Sequence, residues 1–438
     1  MEKKKHFLSW YFDANLLIRI LIGLVLGAIV GLMLGSNLAG AELGKVLNVI
    51  RPFGDLFIRL LWMIMVPVIF STLVVGAASI SPSKLGKTGG TIFLVYVFSS
   101  FIAVAFGLAF AFLFQPHVAI AASAVEGAAS QTRAVQSLSV TLLNIVPQNI
   151  VNAVLHSPNL LGIIFFTLCF GTSLSVLRAS SNERTRNSAE AVFNVFDGIA
   201  EVMIKMVSAI MQYAPIGVFA LICVVFATSG PAVIGGLAVA LAAYFSAWAA
   251  YIIIWYLLIC TKLIAGLPVF PFIYKVKEAF FTAFVTRSSA ATLPITLECA
   301  EKAGIPKDIR SFAIPLGATI NMDGTAIYQG TAIVFVALSI GHVLTGADLA
   351  TIMIMATLAA IGAAGVPGAG VIMLLMVMAQ IGLTPEAGTA TAAAYAMILG
   401  IDALMDMGRT SANVIGDIVY VAMIGKRQGW LEMDKWGK

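Results

Sequence analysis

Between residues 402 and 417 an otherwise apolar stretch carries Asp402, Asp406, Arg409, Asn413 and Asp417, separated by 4, 3, 4 and 4 positions. At 3.6 residues per turn this spacing lines all five polar groups along one helix face. In a membrane such a face turns inward, because an ionised side chain at the bilayer centre costs at least ~2.5–3.5 kcal/mol before it finds a partner. With Asp323 of a second polar stretch, Asn321-Met322-Asp323-Gly324-Thr325, there are four carboxylates against one guanidinium, a net charge of −3. That deficit calls for cations from outside the chain, or for protons. Arg409 has two readings. Its planar fork suits bidentate capture of a carboxylate, and it also suits a permanent bridge to Asp402 or Asp406, seven and three positions away. An acidic amino acid offers two carboxylates and one ammonium, which match Arg409, Asp406 and exposed backbone amides group by group. A succinate-like dicarboxylate leaves Asp406 repelling, and serine or alanine leaves Arg409 without its carboxylate.

The elements that must hold this face are membrane helices. Of the 438 residues 60% are hydrophobic and 11% charged, against roughly 25% charged in soluble domains. A span needs about 20 largely apolar residues, and such runs lie at 14–35, 53–80, 91–115, 159–177, 190–228 and 233–265. The beginning of the 190–228 run, with Asp197, Glu201 and Lys205, reads as amphipathic. The formal charge of +5 does not imply a nucleic-acid partner, since Lys and Arg gather in short loops and at the ends. With the N-terminus inside, the loops holding Lys84, Arg178, Arg184, Lys262 and Lys275 all fall on the cytoplasmic side, as does the C-terminal Lys426. Cys169, Cys223, Cys260 and Cys299 sit in or beside apolar runs without CxxC spacing, and read as buried free thiols.

Two apolar segments cannot be drawn as unbroken helices. Thr286-Arg287-Ser288-Ser289-Ala290-Ala291-Thr292-Leu293-Pro294 interrupts 278–300, and Gly362 to Gly370 interrupts 350–382. Irregular backbone at membrane depth survives only when buried in protein or lining a cavity. Each broken segment is followed by a helix with polar residues at its centre, a repeat that points to a transport site near the membrane midplane.

Three motifs together, Asn321-Met322-Asp323-Gly324-Thr325, Gly365-Val366-Pro367-Gly368-Ala369-Gly370 and Asp406-Met407-Gly408-Arg409-Thr410 with Asn413 and Asp417, resemble the dicarboxylate/amino-acid:cation symporter family. The resemblance extends over nearly the whole chain. It implies an all-α polytopic fold of eight transmembrane helices and two re-entrant helical hairpins, assembled as a homotrimer in the cytoplasmic membrane with both termini cytoplasmic. Residues 1–80 and 116–230 would supply scaffold helices 1–2 and 4–5; helix 3 at 81–115 and residues 231–438 would form an elevator-type transport domain. Within the latter lie helix 6, hairpin 1 at about 270–300, helix 7 at about 308–340, hairpin 2 at about 347–382 and helix 8 at about 388–425.

The same resemblance implies sodium-coupled uptake of L-aspartate or L-glutamate, with sodium as a co-transported ion. Arg409 would hold the substrate side-chain carboxylate and Asp406 its ammonium, with Thr325, Thr410 and Asn413 completing the polar shell. Arg287, Ser288 and Ser289 at the first break, and Val366 and Gly370 at the second, would also meet the substrate. One sodium would take carbonyls of Gly317, Asn321 and Asn413 with the Asp417 carboxylate; another would use Tyr96, Ser99 and Ser100 with Asn321 and Asp323. A third would lie under carbonyls of Thr319, Ala360, Ile361 and Ala363. Ala360 and Ala363 stand where the family often has Ser and Thr, a change that leaves the backbone carbonyls in place. The alternative within this fold is proton-coupled transport of an acidic amino acid or a C4-dicarboxylate. From other classes, an ion channel lacks a repeated ring motif, and a hydrolase would need a base beside Ser288 where no histidine falls nearby in the sequence.

Overall fold

The computed structural model describes residues 15–79, 87–118, 146–155, 160–361, 365, 367–386 and 389–436. Among them there are helices and turns but no strand. Helices α1 (Leu16–Asn37), α2 (Gly40–Ala78) and α3 (Lys87–Phe114) come first, then a short α4 (Ile150–Leu155), α5 (Leu160–Arg178) and α6 (Glu183–Ser229). Next, α7 (Ala232–Ala250) runs directly into a π-helical stretch, Tyr251–Ile264. The rest is α8 (Val269–Thr286), α9 (Ser289–Lys302), α10 (Lys307–Ile320), α11 (Asp323–Ser339), α12 (Gly346–Ile361), α13 (Ala369–Gln380) and α14 (Ala390–Gln428), with a final 3-10 turn, Met433–Trp436.

Six of these are long and apolar enough to cross a membrane: α1, α2, α3, α6, α7 with its π-helical continuation, and α14. The sequence reading expected eight. The differences lie in α5, an apolar helix too short to count among the six, and at 307–339, where Asn321 and Met322 leave helical geometry and divide the run into α10 and α11. Pro52 and Pro67 lie inside α2 and Pro215 inside α6, places where a membrane helix tolerates the lost hydrogen bond. At the start of α6 the Asn182 side chain accepts from the N–H groups of Arg184 and Thr185, and Val195 and Val202 remain exposed, in keeping with an amphipathic first part.

Packing follows the rule for helices that gain nothing from leaving lipid, namely small residues that bring backbones close. Gly23, Gly27, Gly31 and Gly35 of α1 lie against Pro215, Phe219, Cys223 and Ala227 of α6, where any added Cβ would meet a backbone oxygen. The opposite flank of α1 keeps Ile18, Val25 and Met33 half exposed, a surface suited to lipid. Arg19 is buried and donates from Nη2 to Gln212 Oε1 of α6 at 2.7 Å, an inter-helix role. Helices α1, α2, α5 and α6 pack on one another, whereas α3, α7 and α8 to α11 gather around α14. Cys223, Cys260 and Cys299 are buried, but Cys169 is exposed, because it lies on a face of α5 that no described element covers. An apolar neighbourhood in sequence does not tell which side of a helix meets protein and which meets lipid.

Candidate substrate-binding site

The two interrupted segments meet each other. Helix α8 stops at Thr286 because Arg287 adopts a left-handed conformation, φ 54° and ψ 32°, with its N–H bonded to Ala283 O at 2.9 Å. Ser288 then caps α9 by accepting from Ala291 N at 3.2 Å, and its hydroxyl donates to Gly365 O at 2.9 Å. Gly365 belongs to the second interruption, and its carbonyl also accepts from Ala290 N at 3.3 Å. Gly368, at φ 87°, turns the chain into α13, so that the first turn of that helix, Ala369 and Gly370, lines the same cavity.

That cavity is lined by Arg287, Ser289, Met322, Thr325, Gly365, Ala369, Gly370, Asp406, Arg409, Thr410 and Asn413. Of the expected substrate residues, eight line it. Ser288 does not, being spent on the cap and the contact to Gly365, and Val366 lies outside the described residues. Met322, Gly365 and Ala369 were not singled out as site residues from sequence, although all three stand inside the motifs. Met322 matters because its sulfur accepts from Asn413 Nδ2 at 3.0 Å, holding the amide whose oxygen accepts from Gly324 N at 2.7 Å.

All five polar groups of the α14 face are at most 5% exposed, which fixes the inward orientation expected from their spacing. The guanidinium of Arg409 lies between two carboxylates. Nε donates to Asp406 Oδ1 and Nη1 to Asp402 Oδ1, both at 3.0 Å, while Nη2 stands 2.7 Å from Asp406 Oδ1. The internal bridge weighed for Arg409 is thus formed, and to both aspartates. Two atoms nonetheless have no hydrogen bond among the described residues, Arg409 Nη2, which keeps its ion-pair contact to Asp406 Oδ1, and Asp406 Oδ2. One donor and one acceptor are therefore left over at the cavity, the pair that a carboxylate and an ammonium require. The Tyr328 ring lies 4.6 Å from Arg409 Cζ and shields the buried cation from behind. Gly370 is required by closeness: a Cβ there would run into the guanidinium, 3.0 Å from Nε and nearer to Nη1.

Arg287 adds a second buried guanidinium to this cavity. Counted with it, Asp323, Asp402, Asp406 and Asp417 stand against two arginines, a net of −2 instead of −3. Sequence reasoning put Arg287 at the tip of a break but left its charge out of the count, since nothing local shows that a loop arginine folds inward.

Below the cavity the expected cation ligands fall into two connected groups. Asn321 Nδ2 donates to Asp417 Oδ1 at 2.9 Å, and Gly317 lies against that same oxygen and the Tyr96 hydroxyl. The hydroxyls of Ser99 and Ser100 each lie 3.0 Å from Asp323 Oδ1, and Ser99 Oγ lies 3.4 Å from Asn321 Oδ1. Thr319 sits in the last turn of α10, with Ala360 and Ile361 closing α12, but Ala363 lies outside the described residues and no polar contact among the described residues joins the other three.

Residues 16–427 match the model of the sodium:dicarboxylate symporter family. The chain belongs to that family. Across 440 residues it is 34% identical to the proton/glutamate-aspartate symporter of Escherichia coli (strain K12), covering 97% of this chain and 94% of that protein. It is 33% identical over 436 residues to the proton/sodium-glutamate symport protein of Bacillus caldotenax, with 98% and 96% covered. The neutral amino acid transporter B(0) of Oryctolagus cuniculus is 31% identical over 455 residues, with 92% of this chain and 79% of that protein covered. Family membership makes the chain a multi-pass membrane symporter of the dicarboxylate and amino-acid class.

Proposed function

We propose that the protein couples an inward sodium gradient to uptake of an acidic amino acid, L-aspartate or L-glutamate, across the cytoplasmic membrane. The observation that carries this reading is the leftover pair at the cavity, Arg409 Nη2 beside Asp406 Oδ2, in the cavity that the first turn of α13 also lines. A substrate carboxylate takes the arginine edge, its ammonium takes Asp406, and Thr410, Asn413 and Thr325 supply the remaining partners. Arg287 adds the positive charge that an acidic substrate favours and a neutral one does not. A C4-dicarboxylate would set its second carboxylate against Asp406.

Sodium is favoured by the ligand chemistry, since hydroxyls, amide oxygens and carboxylates are hard donors suited to an alkali cation. In this reading α8–α9 and α12–α13 are re-entrant hairpins, residues 1–80 and 116–230 form the scaffold of a homotrimer, and residues 81–115 with 231–438 carry the substrate across as an elevator. Both termini lie in the cytoplasm. A second reading, proton coupling, draws support from the relatives, of which one is named a proton symporter and another a proton/sodium symporter.

Purified protein in proteoliposomes decides between them. Labelled L-aspartate should accumulate under an inward sodium gradient and not under a matched choline gradient. Equal accumulation driven by a proton gradient alone removes sodium and leaves the substrate site standing. No uptake under any gradient overturns the substrate class.

A further inference from the structure

The Asp323 carboxylate is gripped by more hydroxyls than the expected cation site requires. Besides Ser99 and Ser100 on Oδ1, three phenol oxygens lie within hydrogen-bond distance of Oδ2: Tyr420 at 2.7 Å, and Tyr251 and Tyr256 both at 2.9 Å. Tyr420 follows Asp417 on α14, so a polar helix face accounts for it. Tyr251 and Tyr256 belong to no motif.

These two are brought together by an unusual backbone. In an α-helix residues five apart point about 140° away from each other, toward different neighbours. In the π-helix the hydrogen bonds run from i to i+5, and residues five apart share a side. The stretch Tyr251–Ile264 has that register, visible at its end where Ala265 N bonds Cys260 O at 3.1 Å, and at Thr261, whose hydroxyl bonds Tyr256 O at 2.8 Å. The π-helical register is rare, and its usual single-turn form is frequent at functional sites.

Each phenol also lies near a second polar atom, although a single O–H proton serves one acceptor at a time. Tyr251 Oη lies 3.0 Å from Ser99 O, Tyr256 Oη lies 3.1 Å from Ala412 O beside Asn413, and Tyr420 Oη accepts from Trp255 Nε1 at 3.0 Å. The rings also pack edge to face, with centroids 4.9 Å apart for Tyr251 and Tyr256 and 5.6 Å for Tyr256 and Tyr420. A carboxylate has two oxygens and about four lone-pair positions. With Oδ2 committed to phenols, only Oδ1 is presented beside the oxygens of Ser99, Ser100 and Asn321.

We infer that the π-helical stretch exists to place Tyr251 and Tyr256 as positioning residues, which lock Asp323 in the orientation that offers one oxygen to the transported sodium ion. This rests on the sodium reading above. The phenols touch neither substrate nor, in this arrangement, the ion. They fix the number of carboxylate oxygens the ion meets, hence both its affinity and the size of cation accepted.

The experiment compares wild type with Tyr251→Phe, Tyr256→Phe and the double variant, in proteoliposomes. The sodium concentration for half-maximal aspartate uptake, the aspartate affinity at saturating sodium and the ratio of sodium- to lithium-driven uptake are measured. Loss of one hydrogen bond to a charged group should raise the half-maximal sodium concentration about tenfold, relax the sodium-to-lithium ratio, and move aspartate affinity at saturating sodium less than threefold. Tyr213→Phe is the control, because its hydroxyl bonds Phe53 O at 3.0 Å and not the Asp323 carboxylate, and it should keep the wild-type sodium dependence. Unchanged sodium dependence in both single variants overturns the inference, as does an equal loss in sodium and aspartate terms, the mark of mere packing. Should the double variant fail to fold, the single variants decide. A wild type indifferent to sodium overturns the sodium reading and this inference with it, an outcome separate from a sodium-dependent wild type with unaffected variants.

Discussion

Replacing Arg409 with glutamine tests the centre of the site. The guanidinium is 2% exposed and lies within 3.0 Å of both Asp402 and Asp406, so glutamine leaves two buried carboxylates without their counter-charge. Removing one partner of a buried pair costs about 3–5 kcal/mol of stability. For binding, truncating one side of a buried charge pair costs about 2–5 kcal/mol, which at ~1.4 kcal/mol per factor of ten is a loss of roughly 30-fold to several thousand-fold in aspartate affinity. The two effects separate in a double variant. Asp402→Asn together with Arg409→Gln removes one of the stranded carboxylates and should recover part of the melting temperature, while aspartate binding stays lost. Titration calorimetry with L-aspartate at saturating sodium, alongside thermal unfolding of the same samples, reads both. A folded Arg409→Gln protein that binds aspartate within threefold of wild type would falsify the assignment of Arg409 to the substrate carboxylate.

Other outcomes follow from the same geometry. Asp417→Asn removes a charged group that Asn321 Nδ2 and Gly317 both approach; sodium titrations of uptake should shift to concentrations about tenfold higher or more, and an unchanged curve would rule out the Asp417 site. Gly370→Ala puts a methyl group into the guanidinium of Arg409, and uptake should fall at least tenfold with thermal stability reduced by only about 1–3 kcal/mol, the usual cost of overpacking. Ser288→Ala removes both the α9 cap and the hydrogen bond to Gly365 O. It should cost about 1 kcal/mol of stability, and protease sensitivity between residues 286 and 289 should rise; equal cleavage rates would show that the contact between the two tips carries no weight.

The polar face of α14 was legible because an inward charged row at helical spacing has few other meanings in an apolar stretch. The break at Arg287–Ser288 was legible too, since a serine cluster followed by proline ends helices for local reasons. What escaped was decided by three-dimensional neighbours. The double bridge of Arg409 depends on how a side chain with several rotamers settles between aspartates three and seven positions back, and periodicity ranks those partners equally. Arg287 looks like a solvated loop residue until α13 and α14 are seen to line one cavity with it. Tyr251 and Tyr256 fall on different faces if the helix is assumed to keep 3.6 residues per turn, so the change of register hides the one pairing that matters. Cys169 failed in the opposite direction, since an apolar run marks lipid contact as well as burial.

The row of glycines on α1 has a mechanical consequence. Gly23, Gly27, Gly31 and Gly35 each sit against a backbone segment of α6, and a step of four residues corresponds to about 6 Å along the axis. Four successive backbone-to-backbone contacts cover about three turns, so prising α1 away from α6 would give up all of them together. At these positions the pair is thereby joined along its length without an interlocking side chain on α1, and a larger residue at any one of the four would wedge the two backbones apart.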